Sequence, residues 1–85
     1  MTSTESVERE LERALIKIGD RLVELRKQAG YTSHETFAFD HDLPRVQYWR
    51  LESGKSNFTL SSLIRVLSIH GISVEEFFTS ISRQR

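Results

Sequence analysis

A short helix predicted over residues 44–52 carries side chains that could bind another molecule. When Tyr48 is turned inward, Val46, Trp49 and Arg50 fall on the opposite side of the helix. An outward arginine can donate two hydrogen bonds to a guanine, and an outward apolar side chain can contact the methyl group of thymine. We therefore predict that this face reads the major groove of double-stranded DNA.

Charge is distributed unevenly along the chain, although the formal net charge of its 85 residues is zero. Residues 45–58 carry three basic side chains against one acidic side chain, whereas residues 20–44 carry five acidic against three basic. A small basic patch therefore coincides with the predicted reading helix. Binding to DNA phosphates uses charge of this sign.

Composition argues against several classes of protein. The chain has no cysteine, so it can form neither a disulfide nor a thiolate metal site. The spacing of His34, His41 and His70 does not match a metal-ligand pattern and no cysteine supports them, so we expect no metal and no cofactor. A chain of this size built from short helices rarely encloses a substrate cavity, so we do not expect an enzyme. No apolar run approaches the ~20 residues of a membrane span and the N-terminus does not resemble a signal peptide, so we expect a cytoplasmic protein.

Hydrophobic periodicity predicts five helices and no strand. The first stripe recurs at steps of four and three residues. It comprises Val7, Leu11, Leu15, Ile18, Leu22 and Leu25. This stripe fits one long helix that ends near Ala29, or a short N-terminal extension that Gly19 separates from the first helix of the domain.

Local signals predict where the later helices begin. Thr32 with Glu35, and Ser73 with Glu76, have the spacing of capping boxes, in which each side chain satisfies a backbone donor of the first turn. Thr59 can cap the fourth helix. The apolar face expected for this fourth helix consists of Leu60, Leu63, Ile64 and Leu67.

The order and spacing of these segments resemble the Cro and cI repressor-like (XRE-type) family of helix-turn-helix DNA-binding domains. The resemblance covers about 60 of the 85 residues. The matching segments are LVELRKQAG (22–30), TSHETFA (32–38), LPRVQYWRLESGK (43–55), TLSSLIRVLSIHGI (59–72) and SVEEFF (73–78). The resemblance implies an all-α, five-helix lambda-repressor-like domain with an N-terminal helical extension.

The resemblance also implies a domain organisation. Residues 1–17 would form an N-terminal tail and helical extension, and residues 18–78 the helix-turn-helix domain. The two helices of the motif would span about 33–41 and 44–52. Residues 79–85 would form a C-terminal tail.

Individual residues match functional positions of the family. Arg26 and Glu52 match a buried ion pair between the first and third helices. The base-reading positions are Arg45, Val46, Trp49 and Arg50. The positions that contact the DNA backbone are His34, Gln47, Ser53, Lys55 and Ser56. Two departures stand out, since Asp42 replaces the usual glycine of the turn and Trp49 is bulky where a small residue is common.

Together these features predict a sequence-specific DNA-binding transcriptional regulator, a dimeric repressor that reads the major groove with helix 44–52. The apolar stripes exceed what five short helices need to bury, so we expect a homodimer through residues 7–15 and/or 77–81. An alternative is an antitoxin or a protein-binding adaptor on the same scaffold, with a toxin as a possible protein partner.

Overall fold

The computed structural model describes residues 4–83, and within that range the chain forms five α-helices and no strand. The helices are α1 (Thr4–Gln28), α2 (His34–Asp40), α3 (Arg45–Ser53), α4 (Leu60–His70) and α5 (Val74–Arg83). The all-α fold predicted from the sequence is confirmed. The outermost residues of the two expected tails, 1–3 and 84–85, lie outside the described residues.

Helix α1 continues through Gly19 without a break. This glycine has a packing role and does not end a helix. A Cβ atom at Gly19 would overlap the backbone carbonyl oxygen of Glu52 at the end of α3. The missing side chain therefore allows α3 to cross α1 at very short range. The N-terminal extension and the first helix of the domain are one helix.

Two of the predicted helix starts can be compared directly. Ser33, and not Thr32, caps α2: its Oγ accepts a hydrogen bond from the backbone N–H three residues later at 3.1 Å. The capping box expected for Thr32 and Glu35 is therefore wrong by one residue. The box at α5 is confirmed, since Ser73 N donates to Glu76 Oε1 at 2.8 Å and Glu76 N donates to Ser73 Oγ at 3.1 Å.

The face of helix α4 that packs against the core differs from the face predicted from the sequence. Its cap is confirmed, because Thr59 Oγ1 accepts from the backbone N–H of Ser62. Its buried apolar residues are Leu63, Val66 and Leu67, whereas Leu60 and Ile64 are exposed. Val66 and Leu67 flank Leu63 on the helical wheel, while Leu60 and Ile64 both lie to one side of it. Part of the predicted apolar face, Leu60 and Ile64, therefore faces solvent.

The core lies between the helices and contains mainly aromatic and leucine side chains. Phe37 of α2, Tyr48 of α3 and Phe77 of α5 are almost completely buried, with Leu22 and Leu63 between them. The rings of Phe37 and Tyr48 lie 5.1 Å apart, so the two helices of the motif share one aromatic contact. The described helices lack the combination of length and apolar character that a membrane span requires.

Helix α5 packs against α1 and extends through most of the segment 79–85 that the resemblance assigned to a tail. Arg21 Nε donates a hydrogen bond to Ser80 Oγ at 3.0 Å, and Ile81 packs on the core. These contacts with α1 extend the helix as far as Arg83.

His70, at the end of α4, packs against the aromatic core. Its ring stacks on Phe37 with centroids 5.3 Å apart and planes 8° from parallel. Its Nε2 is buried and has no hydrogen-bond partner among the described residues. Burial lowers the pKa of His70, and the nearby side chains of His41 and Arg21 lower it further. The imidazole is therefore neutral in the folded protein near neutral pH.

We expect Gly19→Ala to lower the free energy of unfolding by about 1–2 kcal/mol. Overpacking against backbone typically costs ~1–3 kcal/mol, which exceeds the gain of about 1 kcal/mol in helix propensity. Asp20→Ala, at the exposed neighbouring position, is the matched control and should not lower the free energy of unfolding, because alanine has a higher helix propensity than aspartate. Urea unfolding of both variants measures the difference. Equal stability of Gly19→Ala and the wild type would contradict the close helix crossing.

We also expect the free energy of unfolding to decrease as the pH is lowered through the titration range of His70. The unfolded chain takes up a proton near the ordinary histidine pKa of 6.5, whereas folded His70 resists protonation because its pKa is lowered. The stabilisation is therefore complete above that pH and is lost as the pH decreases. His70→Phe keeps a flat ring on Phe37 and should show a smaller loss of stability between pH 7.5 and 5.5. The same loss in both proteins would contradict this role.

Candidate nucleic-acid interface

A tight turn joins α2 to α3 and sets the angle between them. Asp42 has a positive φ of 59°, the only such value among the described non-glycine residues. Aspartate tolerates this left-handed conformation better than most residues, which explains how it can replace the glycine that the resemblance implies. The backbone N–H of Leu43 donates to the carbonyl of Ala38 at 2.8 Å and closes the turn. The pair α2–α3 therefore has the geometry of a helix-turn-helix.

A buried ion pair attaches the last turn of α3 to α1. Arg26 Nε and Nη2 donate to the two carboxylate oxygens of Glu52 at 2.7 and 3.1 Å. Arg26 Nη1 also donates to the backbone carbonyl of Tyr31 at 3.1 Å. The hydrogen bonds to Glu52 raise the pKa of Arg26, so the guanidinium remains charged. The pair therefore fixes the C-terminal turn of α3 against α1.

Tyr48 lies beside this ion pair on the inner face of α3. Burial raises the pKa of the Tyr48 phenol, and the carboxylate of Glu52 raises it further. The phenol is therefore neutral at all physiological pH values. Tyr48 is 1% exposed and Leu51 is 5% exposed, so the inner face of α3 is filled.

Five of the six predicted contact residues of α3 lie in exposed positions on its outer face, and the sixth, Ser53, is half-buried at the end of the helix. The five exposed residues are Arg45, Val46, Gln47, Trp49 and Arg50. Glu52 is the one acidic residue between positions 45 and 58, and it is buried against Arg26. The surface of this segment therefore presents cations without an exposed carboxylate, a stronger positive character than the sequence count indicated.

The end of α3 and the loop after it extend this surface. Lys55 is exposed, and its Nζ lies 5.7 Å from the centroid of the Trp49 ring. Ser53 and Ser56 are half-buried, and Ser53 Oγ donates to the backbone carbonyl of Arg50 at 3.3 Å. Lys55 thus lies on the same surface as the outer face of α3, while Ser53 already has a hydrogen-bond partner within α3.

His34 begins α2 and is half-buried. Its Nδ1 lies 4.0 Å from a carboxylate oxygen of Glu35. Among residues 4–83 no group of three histidine, aspartate or glutamate side chains is arranged to hold a metal ion.

The structure adds one basic residue that the sequence analysis did not select. Arg65 of α4 lines a cleft of about 270 Å³ beside α3, together with Gln47 and Arg50. Its guanidinium also donates to the carbonyl of Asp42 at 3.4 Å, so it contacts the turn of the motif. The available signal in the sequence was a single arginine within α4, whose position beside α3 depends on how the two helices pack.

We expect Arg26→Met to lower the free energy of unfolding by ~3–5 kcal/mol, because it leaves the carboxylate of Glu52 buried without a counter-ion. The double variant Arg26→Met/Glu52→Leu should recover most of this loss, since no buried charge then remains unpaired. Denaturant unfolding provides the measurement.

Arg9→Met is the matched control for this experiment. Arg9 pairs with Glu5 at 3.9 Å on the exposed side of α1, and a pair of this kind contributes at most about 1 kcal/mol. If Arg26→Met cost no more than Arg9→Met, the buried pair would not be the contact that holds α3.

The chain is 36% identical over 69 residues to the control protein C.MunI of a Mycoplasma species, and the alignment covers 81% of this chain and 93% of C.MunI. No protein-family model matches the chain. No solved structure matches it.

Proposed function

This chain belongs to the family of the control protein C.MunI, and from this relationship we propose that it is a transcriptional regulator that binds specific DNA sequences through α3. The observation that carries the proposal is the outer face of that helix. It presents arginine and apolar side chains without an exposed carboxylate, while the inner face is filled by the core. Such a division leaves the outward residues available to a DNA groove.

The roles of the residues follow from their positions on α3 and its neighbours. We propose that the bases are read by Arg45, Val46, Trp49 and Arg50. We propose that the DNA backbone is contacted by His34, Gln47, Ser53, Lys55 and Ser56. Arg65 joins this second group, because it lies on the same cleft as Gln47 and Arg50.

The protein acts as a dimeric repressor in this proposal. The apolar stripe of α1 continues beyond the core to Val7 and Leu11, which are 56% and 41% exposed. Phe78 and Ile81 line a neighbouring groove between α1 and α5. A second copy that covers residues 7–15 and 77–81 would bury this surface. Two α3 helices about 34 Å apart could then bind a two-fold site.

The alternative function, an antitoxin or protein-binding adaptor with a toxin partner, is not favoured by the relationship to a control protein.

Selection of bound sequences from a random pool of DNA duplexes tests the proposal. The expected result is one enriched sequence with two-fold symmetry and half-sites about one helical turn apart. Failure to enrich any sequence would contradict sequence-specific binding. Enrichment of a single asymmetric half-site would contradict the dimer and retain the reading role of α3.

Two substitutions on the binding surface should have different effects on DNA affinity. Arg50→Ala should weaken binding to the enriched sequence by ~1–3 kcal/mol while it changes binding to random duplex much less, because a base contact discriminates. Lys55→Met keeps the aliphatic stem beside Trp49 but removes the charge. It should weaken both complexes alike and reduce the salt slope by about one.

Titration of both duplexes at several salt concentrations measures these effects. An equal loss on specific and random DNA for Arg50→Ala would contradict its base-reading role.

A further inference from the structure

We propose that Val46 and Trp49 together form a contact for the C5-methyl group of thymine in the major groove. The inference rests on the proposed function and names the chemical group that part of the α3 surface reads. The protein would then distinguish thymine from uracil at a defined position of its binding site, although the two bases present the same hydrogen-bonding groups.

The first observation is the position of the two apolar side chains. Val46 and Trp49 lie three residues apart on α3, which places them on adjacent turns of one helix face. They are 51% and 39% exposed, respectively. The inner face of α3 is completed by Tyr48 and Leu51, so the outward pair is not needed to close the core.

The second observation is the charge that surrounds this pair. Arg45 and Arg50 are exposed on α3, Lys55 is exposed in the following loop, and residues 45–58 have no exposed carboxylate. The matching partner is therefore a polyanion that can also bury apolar surface. Among the groups that the four bases display in the major groove of DNA, the thymine methyl is the apolar one. Charge and hydrophobicity thus indicate the same ligand.

The third observation concerns the orientation of the indole ring. The ammonium group of Lys55 lies 5.7 Å from the Trp49 ring centroid, within the range of a cation–π contact. The indole therefore lies beside a cation on the same surface. The same ammonium remains exposed and can also approach a phosphate.

Replacement of single thymines by uracil tests the inference, because it removes one methyl group and leaves all hydrogen-bonding groups in place. The probe is the duplex with the sequence enriched by selection, in a series with one uracil each. At one thymine position of each half-site, replacement by uracil should lower the affinity of the wild-type protein about fourfold. This factor corresponds to the loss of one buried methyl group. Uracil elsewhere in the site should have no effect.

Variants then assign the methyl contact to the two side chains. In Val46→Ala and Trp49→Ala the affinity for the thymine duplex should fall, and the fourfold preference for thymine over uracil at that position should shrink toward one. Ile64→Ala is the matched control, since Ile64 is an exposed apolar residue of α4 (45% exposed) outside the reading face. It should retain the full preference. Far-UV circular dichroism and thermal unfolding verify that each variant is folded.

The outcomes separate this inference from the proposed function. If no sequence is enriched, the proposed function fails and the inference fails with it. If a sequence is enriched but no thymine in it is sensitive to uracil, the methyl contact is overturned while DNA binding stands. If both variants keep the full preference for thymine, the methyl is read by other groups and the assignment to Val46 and Trp49 is likewise overturned.

Discussion

The position of α3 depends on the buried ion pair between Arg26 and Glu52. A nine-residue helix is too short to be stable alone, and the outer face of α3 is exposed to solvent. Tertiary contacts on its inner face must therefore hold it. Both oxygens of the Glu52 carboxylate are bound by one guanidinium, so the contact fixes direction as well as distance. The same pair removes the acidic charge of Glu52 from a surface that would otherwise repel phosphate.

Contacts at both ends of α3 complete this arrangement. At the C-terminal end, Gly19 lets the carbonyl of Glu52 approach α1 more closely than any side chain would allow. At the N-terminal end, the left-handed backbone of Asp42 closes the turn, and Arg65 of α4 donates to its carbonyl. The fixed residues all lie on the inner side or at the ends of the helix. The outward residues of α3 are consequently not required to hold the helix in place, so their identities can be determined by the molecule they bind.

Much of this architecture could be predicted from the sequence because its signals are local. The five helices and the box of Ser73 and Glu76 each follow from a few neighbouring residues. Tertiary packing decided the rest. Thr32 and Ser33 are equivalent as caps until α2 is docked, and the face of α4 depends on where the core lies. The buried pair of Arg26 and Glu52 agrees with what the family resemblance implied. The cleft that includes Arg65 requires contacts between distant segments, which periodicity does not specify.

The exposed indole on α3 has a spectroscopic consequence. Trp49 is the single tryptophan of the chain, so all indole fluorescence comes from the outward face of α3. A ligand that covers this face changes the polarity around the fluorophore and brings quenching groups near it. The unlabelled protein therefore carries its own reporter for any ligand that covers the outer face of α3. Emission from Trp49 follows events at this surface, whereas the two tyrosines, Tyr31 and Tyr48, belong to the packed side of the molecule.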